Sequence, residues 1–321
     1  MTTVKTRKGK HLLLTECIRR RVESKRSMGK DSTADLYQAA GHRFLEFLGE
    51  KDIYLSEITP TQVSDFQGYL QAKNLRINTI NSYTSSLRAI FNSVLNDHPF
   101  KMGKHPFLHL KLKRDVTVRQ PLTSAGIEKI ATTDFSHDPR LAFRADLSLF
   151  SFMAYGMPFV DMIHLKKSNI QGRDIVYNRH KTGIQIRMQI TPGMWHIIRK
   201  YRNDGEYLFP VMSKPVTHSQ YKGMLAAYNK ALKTIGKLLK IHPNLTSYVM
   251  RRSWAAEAQR RHVSVSVIGK GMGHTSEKTT RYYLGQLDQS ELNKANRAIT
   301  KSINLLLVKN VKGGTGKSAY L

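Results

Sequence analysis

The sequence predicts a mainly α-helical protein with one small antiparallel β-sheet, arranged as a helical N-terminal part followed by a mixed α/β part. Three observations predict it. Apolar residues recur at helical spacing through the first hundred positions, strict two-residue alternation is confined to a short stretch near 184–190, and a basic segment bounded by prolines, with neither pattern, lies between them.

Four helices are expected, near 11–27, 33–49, 60–73 and 79–96, separated by polar or glycine-containing breaks. Thr59-Pro60-Thr61-Gln62 has the form of a capping box, with proline at the first helical position, where its missing N–H removes no intrahelical bond. Ile80, Tyr83, Leu87, Ile90, Phe91 and Val94 then form one apolar stripe, which a helical bundle would bury. Lys5, Arg7, Lys8, Lys10, Arg19, Arg20, Arg21, Lys25 and Arg26 are placed on exposed faces, with few acidic residues nearby in sequence to balance them.

The stretch 99–121 is basic, has prolines at both ends and lacks a helical stripe. It reads as an interdomain connection, with 111–121 as the linker proper. A second unit opens at Leu122-Thr123-Ser124, a helix cap ahead of apolar positions. Within it Ile184, Ile186, Met188 and Ile190 alternate with polar residues, and residues 173–179 precede them across His180-Lys181-Thr182-Gly183. The pattern predicts a hairpin with Lys181 near its tip. Elsewhere in this unit helices dominate.

Composition narrows the functions. The chain has 321 residues, with 52 Lys plus Arg against 23 Asp plus Glu, a net charge of +29. That excess exceeds what solubility requires and points to a polyanion. Nucleic acid is favoured over an acidic membrane, because there is no long uncharged apolar run, signal-peptide core or basic amphipathic anchor. The single cysteine, Cys17, excludes a disulfide framework and a cysteine-rich zinc site and agrees with a cytoplasmic location. The thirteen histidines include no HExxH and no metal-spaced cluster, and there is no GxGxxG, so neither metal nor cofactor is expected. Residues 312–318, KGGTGKS, resemble a phosphate-binding loop. Such a loop needs a following helix to hold phosphate, and only three residues follow here, so a mobile tail is expected.

The chemistry is concentrated between Lys181 and Tyr283. Lys181 on a hairpin, Tyr248-Val249-Met250-Arg251, Gly273-His274, and a tyrosine nine residues beyond that histidine occur in this order. The arrangement resembles the tyrosine recombinases, the phage-integrase and Xer-like family. The nine-residue spacing selects Tyr283 as nucleophile. Tyr282, about 100° away on a helix, is assigned to packing. The resemblance implies an N-terminal helical core-binding, SAM-like domain (1–110), a linker (111–121), a mixed α/β catalytic domain (122–303) and a C-terminal tail (304–321) docking on a neighbouring protomer. It also implies double-stranded DNA as partner, a homotetramer on DNA, DNA-bending accessory proteins and a place at the bacterial nucleoid.

These residue types suit phosphoryl transfer. An attacked phosphodiester gains charge on its nonbridging oxygens and needs fixed positive donors there. Arg251 can supply a bidentate, permanently charged contact. By the resemblance His274 and Tyr248 add hydrogen bonds, Lys181 protonates the departing 5′ oxygen, and Tyr283 forms a 3′-phosphotyrosine link that stores the bond energy, so rejoining requires neither ATP nor metal. The implied function is site-specific DNA recombination: integration, excision or inversion. The alternatives are a DNA-binding protein that no longer cuts and a type IB topoisomerase.

One departure bears on mechanism. The family has a further arginine early in the catalytic domain, and Pro158 stands in its position here, with Gly156, Asp161 and Leu165 still fitting. Integrases of conjugative-transposon type that lack this arginine are the nearest subgroup. Arg144 is too far along its predicted helix to substitute, and Arg252 points away from Arg251. Arg179, two residues before Lys181 and on the same face if both lie in one strand, is the candidate substitute, against the alternative of a solvated hairpin arginine.

Overall fold

The structure, a computed structural model, describes residues 12–97, 104–108, 110, 112, 115, 120–242, 244–281, 284 and 296. The chain divides into two compact units, Met1–Thr117 and Val118–Leu321.

Among the described residues of the first unit four α-helices form: α1 (Leu14–Ser27), α2 (Asp31–Phe47), α3 (Pro60–Ala72) and α4 (Ile77–Asp97). Their helical periodicity is expressed as burial. Leu14, Cys17, Ile18 and Val22 turn inward from α1, and Ile80, Leu87, Ile90, Phe91 and Val94 from α4. Gly41 in α2 lets α1 approach, since a β-carbon there would stand 2.5 Å from the tip of Ile18. The capping box at α3 forms as expected, with Thr59 accepting from the Gln62 amide and Gln62 reaching back to the Thr59 amide. Phe44 and Phe66 meet edge to face at 5.0 Å in the core, and truncating either to alanine would cost about 3–5 kcal/mol. Cys17 is buried, and burial pushes its thiol up to about 11, which makes it inert.

Two expectations change here. The arginines of α1 are paired: Arg19 with Glu16 and Glu23, Arg20 with Glu16, Arg21 with Asp97 and Arg26 with Asp35. The partners of Arg19 and Arg20 lie one turn away on α1, whereas those of Arg21 and Arg26 lie on other helices, where a linear reading does not find them. The stretch read as connection from residue 99 also contributes to this core. Phe107 is buried against Phe91, 5.6 Å between rings.

The second unit contains α5 (Ser124–Thr132), α6 (Pro139–Met153), α7 (Phe159–Ile163), strands β1 (Ile170–Gln171), β2 (Asp174–Asn178) and β3 (Gln185–Gln189), then α8 (Pro192–Lys200), α9 (His218–Leu238), α10 (Ser247–Arg260), α11 (Val265–Met272) and α12 (Glu277–Arg281). The expected cap opens it, Thr123 accepting from the Gly126 amide, and the Leu122 amide donates to Ser253 of α10. Helix α6 is the central element, packing on α5, α8, α9 and α10. The sheet is antiparallel in the order β1-β2-β3, with Ile175 opposite Met188 and Tyr177 opposite Ile186. Those four residues are buried, so one face of the hairpin is core. The two-residue strand β1 carries too little alternation to be legible in the sequence. The tail over 304–321, with its 312–318 loop, lies outside the described residues. Among the described residues no helix is long and apolar enough to cross a membrane. A cavity of about 700 Å³ between α5, α6 and α8 is lined by none of the residues singled out above.

Candidate active site

Arg251 is the centre of the arrangement. Helix α10 carries it inward to 2% exposure, and main-chain carbonyls orient its guanidinium: Nη1 donates to Gly156 at 2.9 Å and Nη2 to Met272 at 2.6 Å. The first carbonyl is in reach because Tyr155 and Gly156 are consecutive left-handed residues, with φ of +57° and +66°. Gly156 is required twice over: its φ favours glycine, and a β-carbon would lie 2.6 Å from the Arg251 Cα. Tyr155 is held in its costly conformation by its ring packing on Trp254 of α10, at 5.3 Å.

His274 follows directly. Gly273 ends α11 with φ +64°, and the His274 amide donates back to Gly269, a left-handed helix terminus that turns the imidazole toward Arg251. Nη2 of Arg251 lies 3.1 Å from His274 Nε2. A guanidinium can only donate, so Nε2 accepts, and the ring proton is assigned to Nδ1, which donates to Thr280 at 2.9 Å. The electrostatics agree. Burial first, then the charges of Arg251, Arg179 and Lys181, hold His274 down to about 4, so the ring is neutral at pH 7. In this state Nε2 carries no proton to donate, so the donor role expected of His274 would require its protonation. Incoming phosphate charge favours that protonation. Thr280, fully buried in α12, was missed by sequence reasoning; its only signal is its position between Gly273-His274 and the tyrosine pair.

The hairpin brings Arg179 and Lys181 to the same place, with a correction. Strand β2 ends at Asn178, so Arg179 and Lys181 belong to the turn and do not share a strand face. Lys181 is exposed, whereas Arg179 is 7% exposed. The solvated-arginine alternative fails for the same reason. Arg179 Nε donates to Asp161 Oδ2 at 3.2 Å and Nη1 to the Met272 carbonyl at 2.5 Å, the carbonyl that Arg251 also uses. Asp161 Oδ1 accepts the His180 amide at 2.8 Å. Asp161 sits on α7, which Pro158 caps at φ −61°; the proline suits a helix start and offers no charge where the family has arginine.

Tyr248 lies one turn before Arg251 on α10, 46% exposed, with the Arg252 guanidinium 5.9 Å above its ring. Arg252 is thus directed to Tyr248. Arg144 is half-buried on α6, where burial lowers its pKa. Tyr282 and Tyr283 lie outside the described residues. Two other tyrosines near the site, Tyr177 and Tyr221, are pushed up, by burial first and then by Asp161.

In the second unit a buried arginine thus meets a histidine, with a lysine-bearing hairpin held beside them, an arrangement compatible with DNA strand transfer. Known proteins agree. The phage integrase SAM-like domain matches residues 13–106 and the phage integrase family matches residues 127–290. The chain belongs to the phage integrase family, and it is a site-specific recombinase of the tyrosine class. A tyrosine recombinase of Thermosipho africanus (strain TCF52B) is 21% identical over 277 residues, covering 81% of this chain and 91% of that protein. Among solved structures, the lambda integrase (75–356) dimer bound to a COC' core site matches with TM-score 0.65 at 15% identity, covering 87% of this chain and 97% of that one. A lambda integrase tetramer bound to a Holliday junction matches with TM-score 0.64 at 17% identity, covering 87% and 79%. The Tn1549 transposon integrase (aa 82–397, Y379F) with transposon right end DNA matches with TM-score 0.64 at 14% identity, covering 91% and 100%.

Proposed function

We propose that this recombinase cuts and rejoins double-stranded DNA through a 3′-phosphotyrosine link to Tyr283, with Arg251, His274 and Tyr248 on the scissile phosphate and Lys181 as general acid. The Tyr283 oxygen bonds to phosphorus, the bond from phosphorus to the bridging 5′ oxygen breaks, Lys181 gives that oxygen its proton, and the phenol proton passes to solvent. The link preserves the bond energy for rejoining without ATP. The contact of Arg251 Nη2 with His274 Nε2 at 3.1 Å supports this reading, since a fixed cation there adjoins an imidazole nitrogen that can take up a proton when a phosphate arrives. Tyr177 and Tyr221, whose pKa values are raised, are poor nucleophiles by comparison. Arg179, the candidate substitute for the arginine absent at Pro158, stands at the Met272 carbonyl beside Arg251. Its charge is balanced by Asp161, so it is proposed to act through its neighbours without touching the phosphate.

The proposed organisation is a core-binding domain over 1–110, a linker over 111–121, a catalytic domain over 122–303 and a tail over 304–321 that docks on the next protomer of a homotetramer on DNA. DNA-bending accessory proteins and a bacterial cytoplasmic, nucleoid-associated location complete the reading. The net charge of +29 supports the DNA partner. A suicide substrate nicked beside the cleavage position tests the chemistry. A covalent protein–DNA adduct resistant to denaturing detergent is expected, and binding without any adduct overturns the reading.

A further inference from the structure

We propose that Arg179 and Thr182 form a clasp that positions Lys181, by holding the hairpin tip on the carbonyl groups of Met272 and Gly273. The proposal rests on the reading of Lys181 as the general acid.

Each residue flanking Lys181 is tied to another part of the unit. Arg179 Nη1 donates to the Met272 carbonyl at 2.5 Å, and Thr182 Oγ1 donates to the Gly273 carbonyl at 3.3 Å. The His180 amide donates to Asp161, whose other oxygen accepts from Arg179. The turn is closed from within, the Arg179 amide donating to Ile184 and the Gly183 amide to Arg179, both at 2.8 Å. Lys181 makes no hydrogen bond or ion pair among the described residues, so a flexible ammonium is carried on a fixed base. The seat of the clasp is the segment that places the phosphate ligands. Met272 also accepts from Arg251, and Gly273 precedes His274. A β-carbon at Gly273 would meet the Arg179 Cγ and the Ile186 Cδ1 at 3.0 Å, so the close seating of Arg179 depends on glycine there. The Lys181 charge is near enough to help hold the His274 pKa down. The hairpin tip and the Arg251–His274 pair thus share one main-chain segment, and the backbone that carries Lys181 cannot leave that segment without breaking these bonds. A small displacement of a reacting group has a large kinetic effect.

A positioning role differs measurably from a structural one. When sulfur replaces the 5′ bridging oxygen of the substrate, the departing thiolate needs no proton, so a defect that acts through Lys181 disappears. Thr182→Val, which keeps the side-chain volume and removes the hydroxyl, is expected to slow cleavage of ordinary suicide DNA about five- to tenfold. It should cleave the sulfur substrate at the wild-type rate and bind DNA unchanged. Thr182→Ser should restore the ordinary rate, and Thr182→Val added to Lys181→Ala should cause no further loss. A Thr182→Val rate unchanged on ordinary DNA, or reduced equally on both substrates, overturns the clasp. Sulfur failing to restore Lys181→Ala overturns the general-acid reading instead.

Discussion

Replacing Asp161 with alanine probes the structure where it departs most from the sequence. The Asp161 side chain is fully buried and that of Arg179 is 7% exposed, with Nε to Oδ2 at 3.2 Å and the His180 amide on Oδ1 at 2.8 Å. Truncation leaves a buried guanidinium without its counter-charge, a change that costs about 3–5 kcal/mol in general. Because the Met272 carbonyl still accepts one Arg179 nitrogen, the lower end, about 3 kcal/mol, is expected. For a unit of this size each kcal/mol lowers Tm by about 2–4 °C, so the melt should shift down by about 6–12 °C. Urea titrations followed by circular dichroism measure the free energy, and thermal scans the Tm. Asp161→Leu combined with Arg179→Met removes both charges and should recover most of the loss, to within about 1 kcal/mol of wild type. The reasoning is refuted if Asp161→Ala costs less than about 1 kcal/mol, or if the two single losses add in the double variant, since either result means that the charges do not depend on each other.

Tyr283→Phe should abolish the covalent adduct at nearly unchanged DNA affinity, and Tyr282→Phe should still form it in the suicide assay; the reverse pattern would overturn the nine-residue register. Affinity for duplex DNA should fall linearly on a log–log plot against salt, with slope about −0.9 per phosphate neutralised, measurable by fluorescence anisotropy; a flat plot would remove the electrostatic argument. Folded His274 is held at about 4 against an ordinary 6.5, so the unfolded chain takes up this proton first as pH falls. Its stabilising contribution is whole above 6.5 and declines toward about 4, and His274→Gln should flatten that part of the stability–pH curve in denaturant titrations. Truncation after Ile299 should lower recombination more than DNA binding in gel-based assays; equal loss of both would point to unfolding.

What the sequence determined by itself is what depends on near neighbours. The α4 stripe from Ile80 to Val94, the Thr59–Gln62 box and the 184–190 alternation are local patterns, and they appear in the structure as burial or capping, with Tyr83 and Ile184 only partly buried. The order Lys181, Arg251, His274 is readable along the chain although the residues are far apart in it, and the fold brings the hairpin tip to the Gly273-His274 segment beside Arg251. What only the tertiary structure decided concerns partners far apart in the chain. Arg179 is a hairpin cation in sequence, and it turns inward because Asp161, 18 residues before it, and Met272, 93 residues after it, supply its acceptors. The acidic partner of Arg21 is Asp97, on another helix. The tautomer of His274 is set by Arg251 on one ring nitrogen and Thr280 on the other. Gly156 shows the limit most plainly: the residue type is readable, but that it lets a carbonyl approach Arg251 is not. Periodicity reports which face of an element is buried, whereas hydrogen-bond complementarity between distant segments exists only once the chain has closed on itself.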